Sequence, residues 1–322
     1  MTTGLAHALR QVGHNVEIVT MPFKFFPESH IDKMMDIWCE SDFGNFSGYP
    51  IDKVIALQFP AYYVNHKDKI VWLMHQHRAV YELYHEQSAP SVLNKLKDKI
   101  WKIDSDKLSS VKKVFTMSKT VSKRLQKNNG IDSIPLYHPP FGEKLFYNEK
   151  SYDYIFFPSR LEELKRQELL IQAMKLTRTP VKAIIAGAGG MHQRYQDLID
   201  KLKIADKVKL IGPISEQEKY TYYARSLAVF FSPFDEDYGY ITLESMLSSK
   251  PVMTCNDSGG PLEFVLDGET GYITEPLPEA IAEAIDKLYM NKRRSIEMGN
   301  AGLQHYLNMN ITWENVVGRL LS

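Results

Sequence analysis

The sequence predicts an α/β protein with parallel, doubly wound sheets. From residue 154 to residue 254, short apolar runs alternate with helical segments, which is the pattern of repeated strand–helix–strand units. The chain has 322 residues, enough for about two domains. A polar, turn-rich stretch at 141–153 precedes the alternating half and is interpreted as a linker. These observations predict two domains, at 1–145 and 146–305.

The predicted first domain begins with a helix and continues into a strand. Leu5, Leu9 and Val12 have helical spacing that ends at Gly13, and an apolar strand follows at 16–19. Further expected elements are a short helix near Met34, strands at 54–57, 70–74 and 113–118, and a helix at 121–126.

The predicted second domain alternates regularly between strands and helices. Its strands are expected at 154–157, 181–186, 208–211, 227–231 and 251–254. Its helices are expected at 168–174, 195–202, 216–224, 240–247 and 280–288, and a last helix follows at 313–321.

Composition excludes several classes of protein. Lys plus Arg and Asp plus Glu each number 39, so no net field favours nucleic acid as a partner. No apolar run approaches the ~20 residues that span a bilayer. Cys39 and Cys255 are far apart and lack metal-ligand spacing, which is typical of a reduced, cytoplasmic protein.

The most informative stretch surrounds two glutamates, Glu236 and Glu244, with seven residues between them. Glu236 follows the predicted strand at 227–231, and Glu244 lies on the helix that begins after Gly239. Glycine permits the sharp turn between them. Ligands of open α/β sheets bind at the carboxyl ends of the strands. The first amides of the helix, at Tyr240 and Ile241, would offer an anion site there.

The segments around these glutamates are similar to those of a known enzyme family. They are the Glu-x7-Glu spacing, Tyr238-Gly239-Tyr240 inside it, Ser258-Gly259-Gly260-Pro261-Leu262-Glu263 and Asp267-Gly268-Glu269-Thr270-Gly271. Together they resemble the family-4 retaining glycosyltransferases, which have the GT-B fold. The resemblance implies two Rossmann-like domains that face a central cleft, a nucleotide-sugar donor, and a glycan or lipid-linked acceptor. It also implies that the last helix, within 306–322, packs back on the first domain.

The resemblance also assigns roles to individual residues. Glu236 contacts the donor sugar's hydroxyls, and His75, at the end of the strand at 70–74, faces the same sugar. The alternative for His75 and His77 is a capping or core histidine. Catalytic candidates are Glu236, His75, Arg160 and Lys165. Donor-binding candidates are Arg160 and Lys165 on the diphosphate, Gly187 in a turn facing the nucleotide, Gly212 and Pro213 at the base, Gly239, Tyr240 and Ile241 as the anion-binding turn, and Glu244 on the ribose.

The donor site is predicted to work without a metal or other cofactor. An arginine fork and a lysine beside a strand end can meet the charge of a leaving diphosphate. Two Asp-x-Asp pairs match the motif that binds a divalent metal in the other large glycosyltransferase fold. Asp104 and Asp106 fall in an expected polar break between helical stretches, and Asp235 and Asp237 flank Glu236. We assign neither pair to metal.

A basic, amphipathic segment spans residues 92–127. Leu93, Leu96 and Ile100 form an apolar stripe, and lysines crowd the other faces. Such a helix can lie on an anionic membrane, and the stripe can equally pack on the domain's own sheet. The first alternative predicts a cytoplasmic protein that is peripheral on the inner membrane face.

The chain departs from the family pattern at its start, where no strand precedes Thr2. The first strand is central in a doubly wound sheet. We therefore expect a first domain that lacks this strand, with a gap between strands at 16–19 and 70–74, and a natural start other than Met1. A non-catalytic or truncated GT-B binding protein is thus one alternative function. A nucleotide-sugar epimerase or phosphorylase of the same fold is another.

Overall fold

In a computed structural model, the chain divides into two compact α/β units. The structure describes residues 1–46, 48–87 and 89–322. Unit 1 comprises Met1–His138 with Thr312–Ser322, and unit 2 comprises Pro139–Ile311. The predicted domains were 1–145 and 146–305. Their boundary lies a few residues after the observed division between His138 and Pro139.

Unit 1 contains, among its described residues, a short antiparallel pair and a parallel sheet. The pair is β1 (Asn45–Phe46) with β2 (Tyr49–Pro50), and the sheet has the order β3 (Val54–Ala56), β4 (Lys69–Leu73), β5 (Val114–Thr116) and β6 (Ile134–Pro135). The helices are α1 (Thr2–Gln11), α2 (Ser29–Glu40), α3 (Ser91–Ser109), α4 (Lys119–Asn129) and, from the last part of the chain, α11 (Trp313–Leu321).

The core of unit 1 lies where α1 and α11 meet the sheet. Leu5 and Leu9 of α1, Trp72 of β4, and Val316 and Leu320 of α11 belong to one buried cluster. The helix spacing of these apolar residues turns one face of each helix inward. Helix α11 is therefore part of the unit 1 core, although about 170 residues of unit 2 precede it.

The predicted strand at 16–19 is wrong. Residues 14–22 form no helix or strand, and Ile18 and Val19 remain 40% and 38% exposed. The sheet runs without an internal gap from β3 to β6, so the expected gap beside residues 70–74 is also wrong. A strand needs a neighbour for its ladder and an apolar surface to cover. The sequence pattern at 16–19 does not show whether a neighbouring strand or an apolar surface is present.

Helix α3 runs unbroken through Asp104, which corrects the predicted polar break. Asp104 is buried and accepts hydrogen bonds from the hydroxyls of Tyr62 (2.8 Å), Tyr63 (2.6 Å) and Tyr81 (2.7 Å), and from the Gln76 amide (2.9 Å). A carboxylate can be buried in mid-helix because these donors replace water.

The apolar stripe of α3 faces the interior of unit 1. Leu93, Leu96 and Ile100 are buried, and Lys99 on another face pairs with Asp32 and Asp36 of α2. The stripe is therefore not the surface that would meet a membrane. In the part of the chain that the structure describes, every helix is too short or too polar to cross a bilayer.

Unit 2 is built on a six-stranded parallel sheet with the order β12-β11-β10-β7-β8-β9. The strands are β7 (Tyr154–Pro158), β8 (Lys182–Ala186), β9 (Val208–Leu210), β10 (Ala228–Phe230), β11 (Val252–Cys255) and β12 (Gly271–Thr274). Numbered within the unit, this is the doubly wound order 3-2-1-4-5-6 read from its far edge. The order reverses between β7 and β10, which are the two central strands.

Helices cover the sheet of unit 2. They are α5 (Gln167–Leu176), α6 (His192–Leu202), α7 (Glu216–Arg225), α8 (Tyr240–Leu247), α9 (Pro278–Met290) and α10 (Lys292–Asn308). Phe157, Phe230 and Met253 of the sheet are fully buried with Leu170 of α5 and Ile285 of α9. The fold class is therefore α/β with two parallel-sheet units, as predicted. Strand β12 and helix α10 are additions that the sequence pattern did not indicate.

Candidate functional site

The candidate site of unit 2 lies at the point where the strand order reverses. Chains that leave neighbouring strands in opposite directions open a crevice at this point, outside the carboxyl ends of the strands. The loop after β7 carries Arg160 and Lys165, and the loop after β10 carries Glu236. The topology therefore brings together residues that are about seventy positions apart in the sequence.

Glu236 and Lys165 form an ion pair across this crevice. The Lys165 ammonium donates to Oε2 of Glu236, and the two side chains are only 13% and 23% exposed. The ammonium also lies 5.7 Å from the centre of the Phe231 ring. Partial burial strengthens the attraction relative to a surface pair, so the pair sets the position of both side chains.

The backbone of Glu236 is held by the segment at 258–260. The Glu236 amide donates to Ser258 O (2.9 Å), and Glu236 O accepts from the Gly260 amide (2.8 Å). Gly259 between them has φ +72°, and a Cβ there would lie 2.5 Å from Glu236 O. Only glycine allows this approach. The Ser-Gly-Gly segment therefore positions the candidate sugar-binding glutamate.

The turn from the Glu236 loop into α8 depends on Gly239. Its φ is +93°, and a Cβ would meet Pro261 Cγ at 2.9 Å. Helix α8 begins directly afterwards, at Tyr240. The first amides of a helix have no intrahelical acceptor and carry the positive end of its dipole. Tyr240 and Ile241 therefore occupy the position that an anion site requires.

Glu244 lies on the inner face of α8 and is 8% exposed. Its carboxylate accepts from the Tyr223 hydroxyl (2.7 Å) and from the Lys219 ammonium (3.1 Å), both on α7. Burial raises the pKa of Glu244, and Lys219 and Tyr223 oppose that rise by stabilising the ionised form. Sequence reasoning missed both partners. Their spacing of four places them on one face of α7, which was the available signal.

Arg160 lies at the end of β7 and is largely exposed, at 72% of its side chain. Its guanidinium pairs with Glu162 at 2.8 Å. The neighbouring Arg166, which sequence reasoning gave no role, is half-buried, with its side chain 15% exposed. It donates to both carboxylate oxygens of Asp257 (2.6 and 2.7 Å) and to the carbonyl of Ser232 (2.8 Å). Arg166 therefore links the start of the Glu236 loop, at Ser232, to Asp257, which follows the carboxyl end of β11.

Gly187 and Gly212 connect the ends of neighbouring strands. The Gly187 amide donates to Gly212 O at 2.8 Å, and a Cβ on Gly187 would lie 1.9 Å from Ser159 O. Pro213 follows Gly212 directly after β9. These glycines let the backbone turns after β7, β8 and β9 pack together at the edge of the crevice.

The two histidines after β4 belong to unit 1 and have different surroundings. His75 is half-buried, with Nδ1 2.7 Å from Gln76 O. His77 is buried between the rings of Phe25 and Phe59, at 5.3 and 5.1 Å between ring centres. Burial, with a contribution from His75, lowers the pKa of His77 to about 4. His77 is thus a core histidine, and the sugar contact of His75 stays a prediction.

The two Asp-x-Asp pairs have different settings. Asp104 is enclosed by tyrosine hydroxyls, and Asp235 has a left-handed φ of 47° in the Glu236 loop. Within residues 1–46, 48–87 and 89–322, no three His, Cys, Asp or Glu side chains are grouped so that they could hold a metal ion.

Solved structures of similar fold are glycosyltransferases. Sucrose-phosphate synthase from Thermosynechococcus elongatus aligns with a TM-score of 0.78 over 99% of this chain and 91% of that chain, at 17% identity. A glycosyltransferase from Rickettsia africae ESF-5 aligns with a TM-score of 0.73 over 99% and 92%, at 18% identity. At these identities the likeness establishes the fold, which is GT-B as predicted.

Sequence comparison identifies the family. The family of glycosyl transferases group 1 matches residues 144–305, which is half of the chain, and the chain belongs to this family. Alpha-1,3/1,6-mannosyltransferase ALG2 of Dictyostelium discoideum is 34% identical over 115 residues, 35% of this chain and 27% of that protein. D-inositol 3-phosphate glycosyltransferase of Corynebacterium diphtheriae is 28% identical over 176 residues, 52% and 40% respectively. The chain thus spans about a quarter to two-fifths of these curated relatives.

Proposed function

We propose that this protein is a family-4 retaining glycosyltransferase. It moves a sugar from a nucleoside-diphosphate sugar to a glycan or glycolipid acceptor, without a metal ion. The observation that carries the proposal is the Lys165–Glu236 pair beside the amino end of α8, at the point where the strand order reverses. This crevice brings together one cation, one carboxylate and the first amides of a helix.

The cation and the helix amides stabilise the negative charge that develops on the leaving group. When the bond between the sugar's anomeric carbon and the phosphate oxygen breaks, the bonding electrons remain on the diphosphate. Lys165 and the Tyr240 and Ile241 amides meet that charge, and Arg160 extends the positive surface along β7. Each preorganised donor of this kind typically lowers the barrier by ~2.7–4 kcal/mol.

The carboxylates orient the donor. Glu236 uses one oxygen for Lys165, and its other oxygen is available to the sugar's hydroxyls. Glu244 is held rigidly by Lys219 and Tyr223, and a carboxylate oxygen that accepts one hydrogen bond can accept a second. We therefore place the ribose hydroxyls at Glu244. A carboxylate that is already fixed loses little conformational entropy when it binds.

Retention follows from how the acceptor approaches. The acceptor oxygen forms its bond to the anomeric carbon on the face that the diphosphate leaves, and its proton passes to the departing phosphate oxygen. This route needs no protein nucleophile and no general base. The glycan or glycolipid acceptor is proposed by analogy with relatives that are named as mannosyl- and inositol-phosphate glycosyltransferases.

A nucleotide-binding screen tests the donor site directly. Thermal unfolding of the full chain would be followed with UDP, GDP, ADP and CDP, because a bound nucleotide stabilises the folded state by ~2.7 kcal/mol at a hundredfold excess over its Kd. Lys165→Ala should weaken the binding free energy of the preferred nucleotide by roughly 1.5–3 kcal/mol, as expected for the loss of a charge-assisted contact. Lys201→Ala, an exposed lysine on α6, is the matched control.

The outcomes separate the proposed function from its alternatives. Equal binding by the wild type and Lys165→Ala would refute the assignment of the crevice. Nucleotide binding without transfer to any acceptor would favour a binding protein. Release of free sugar or an epimerised donor, with no acceptor present, would favour a phosphorylase or an epimerase.

Peripheral membrane contact is a separate proposal. With the α3 stripe buried, it rests on exposed lysines of segment 92–127, such as Lys95 and Lys102, and it places the protein on the cytoplasmic face of the membrane. Binding to liposomes should rise with anionic lipid and fall with salt. Equal partitioning onto neutral and anionic liposomes would contradict this proposal.

A further inference from the structure

Unit 1 has a lysine-lined cavity at the edge of its sheet where the parallel strands begin. The cavity has a volume of about 560 Å³, which lies in the range of small-molecule sites, ~300–1,000 Å³. Its lysines are Lys53, Lys67, Lys69, Lys107, Lys112 and Lys113. We call this feature the lysine cavity. The expected crevice of an α/β sheet lies at the opposite edge, so the lysine cavity is a separate feature.

The topology explains why these lysines converge. Lys53 directly precedes β3, Lys69 is the first residue of β4, and Lys113 directly precedes β5. The three strands are parallel and adjacent, so their amino ends meet at one edge of the sheet. Lys107, in the last turn of α3, faces the same space. Residues from four elements therefore form one concave, positively charged surface.

The charge of the cavity is not balanced by its own acidic residues. Six lysines share the lining with two aspartates, Asp42 and Asp68. Asp68 is already engaged, since both of its oxygens accept from Lys53 at 2.8 Å. The exposed Lys112 and Lys113 have no ion-pair partner among the described residues. A lining with this excess of cations attracts anions.

Two of the half-buried lysines, Lys69 and Lys107, are held in place with donors to spare. The Lys69 ammonium donates to Tyr62 O (2.8 Å) and Val64 O (2.9 Å), and the Lys107 ammonium donates to Asn65 Oδ1 (2.8 Å). A lysine ammonium has three donors, so each retains at least one. Burial, together with Lys107, lowers the pKa of Lys69 to about 8. The two ammonium groups repel each other, and an anion between Lys69 and Lys107 would relieve that repulsion.

We propose that the lysine cavity binds a phosphate group that carries two or more negative charges. Two held ammonium groups, Lys69 and Lys107, supply fixed donors, and the exposed Lys112 and Lys113 close over the anion as mobile point charges. The phosphate can belong to a soluble phosphate compound or to the headgroup of a phosphomonoester lipid. The site is independent of the nucleotide crevice that we place in unit 2.

The test compares two double variants that change the charge equally. Lys112→Gln with Lys113→Gln removes two cations from the cavity. Lys123→Gln with Lys127→Gln removes two exposed cations of α4, outside the cavity. Inorganic pyrophosphate is titrated by calorimetry into the wild type and both variants at low salt. Any binding in unit 2 contributes equally to all three proteins. The tryptophans, Trp38, Trp72, Trp101 and Trp313, all lie in unit 1, so their fluorescence verifies that it is folded.

A second arm identifies the source of the phosphate. The same three proteins are mixed with phosphatidylcholine vesicles that contain or lack phosphatidic acid. The cavity variant should bind pyrophosphate, or the vesicles with phosphatidic acid, up to about thirtyfold more weakly than the control, because it lacks two exposed cations that each contribute up to about fivefold.

The pattern of loss decides the outcome. Weakening with pyrophosphate supports a soluble phosphate ligand, and weakening with phosphatidic acid alone supports a lipid headgroup. Equal affinity of the two double variants for both probes, or no binding by the wild type in either arm, would overturn the proposal. Added salt should weaken binding to the wild type, because the lysines that close the site are exposed to solvent.

Discussion

Replacing Lys219 with methionine tests whether a largely buried ion pair holds helix α8, which carries Glu244. Lys219 is the cation that faces the buried carboxylate of Glu244, at 3.1 Å. Methionine keeps most of the side chain's length and removes its charge, which leaves Glu244 with Tyr223 alone. Removing one partner of a buried pair typically costs ~3–5 kcal/mol, because the remaining charge has lost its compensation.

The expected loss can be converted into a melting temperature. Unit 2 spans Pro139–Ile311, and 1 kcal/mol shifts the midpoint of a domain of that size by ~2–4 °C. Lys219→Met should therefore lower the calorimetric midpoint of unit 2 by roughly 6–20 °C. Tryptophan fluorescence reports unit 1 and should remain unchanged. Lys201→Met, at an exposed site on α6, should have little effect.

The pH dependence provides an independent check. In the variant, burial still raises the pKa of Glu244, and Lys219 no longer opposes the rise. A carboxyl whose pKa is higher in the folded state than in the unfolded state binds more protons when folded. Its stabilising contribution is present at low pH and is lost as the pH rises through the folded-state pKa. The deficit of Lys219→Met should therefore be larger near about pH 8 than near about pH 5.

A second substitution can rescue the first. Glu244→Gln in the Lys219→Met background removes the uncompensated charge and keeps an acceptor for Tyr223, so most of the lost stability should return. A midpoint that is unchanged in Lys219→Met, or not raised by the second substitution, would refute the account of Glu244 given above.

Three further predictions concern separate features. Gly239→Ala should lower the stability of unit 2 by about 1–3 kcal/mol, because its φ is +93° and a Cβ would meet Pro261; Gly268→Ala, at φ +73° in open space, separates strain from this clash. Asp104→Ala should lower the free energy of unfolding of unit 1 by at least about 3 kcal/mol, since three buried tyrosine hydroxyls lose their acceptor. The control is Asp106→Ala, at an exposed position on the same helix. Equal denaturant midpoints for the two variants would show that the hydrogen bonds to Asp104 do not stabilise unit 1. Glycosyl transfer should survive EDTA, and a loss of activity that manganese restores would show that the mechanism needs a metal.

Local patterns were sufficient where neighbouring residues alone decide the structure. Helix α8 has the predicted bounds because Gly239 and the helical run that follows it are adjacent in the sequence. Five of the six strands of unit 2 were predicted within a residue or two, since each is a short apolar run between polar turns. Lys165 and Glu236 were both assigned to the donor site at the carboxyl ends of strands, and the ion pair between them is visible only in the structure.

Other features depend on residues that are distant in the sequence. The segment at 16–19 has a strand-like composition and forms no strand, because a strand exists only with a ladder partner. Asp104 looked like a helix break, and three tyrosines from other segments make it a buried acceptor. Arg166 reads as one more surface cation, yet Asp257 draws it into the loop. None of these partners lies within one helical turn of the residue that it changes.

The sequence by itself therefore determined the fold class, the alternation of strands and helices in unit 2, and the two glutamates around which the candidate site is built. These follow from periodicity, glycine and spacing, which act over a few residues. Only the tertiary structure decided that Glu244 is neutralised by Lys219, that Arg166 positions the Glu236 loop, and that lysines from several elements share one cavity. The physical reason is that electrostatic and hydrogen-bond partners are chosen by distance in space, and burial sets how strongly they interact.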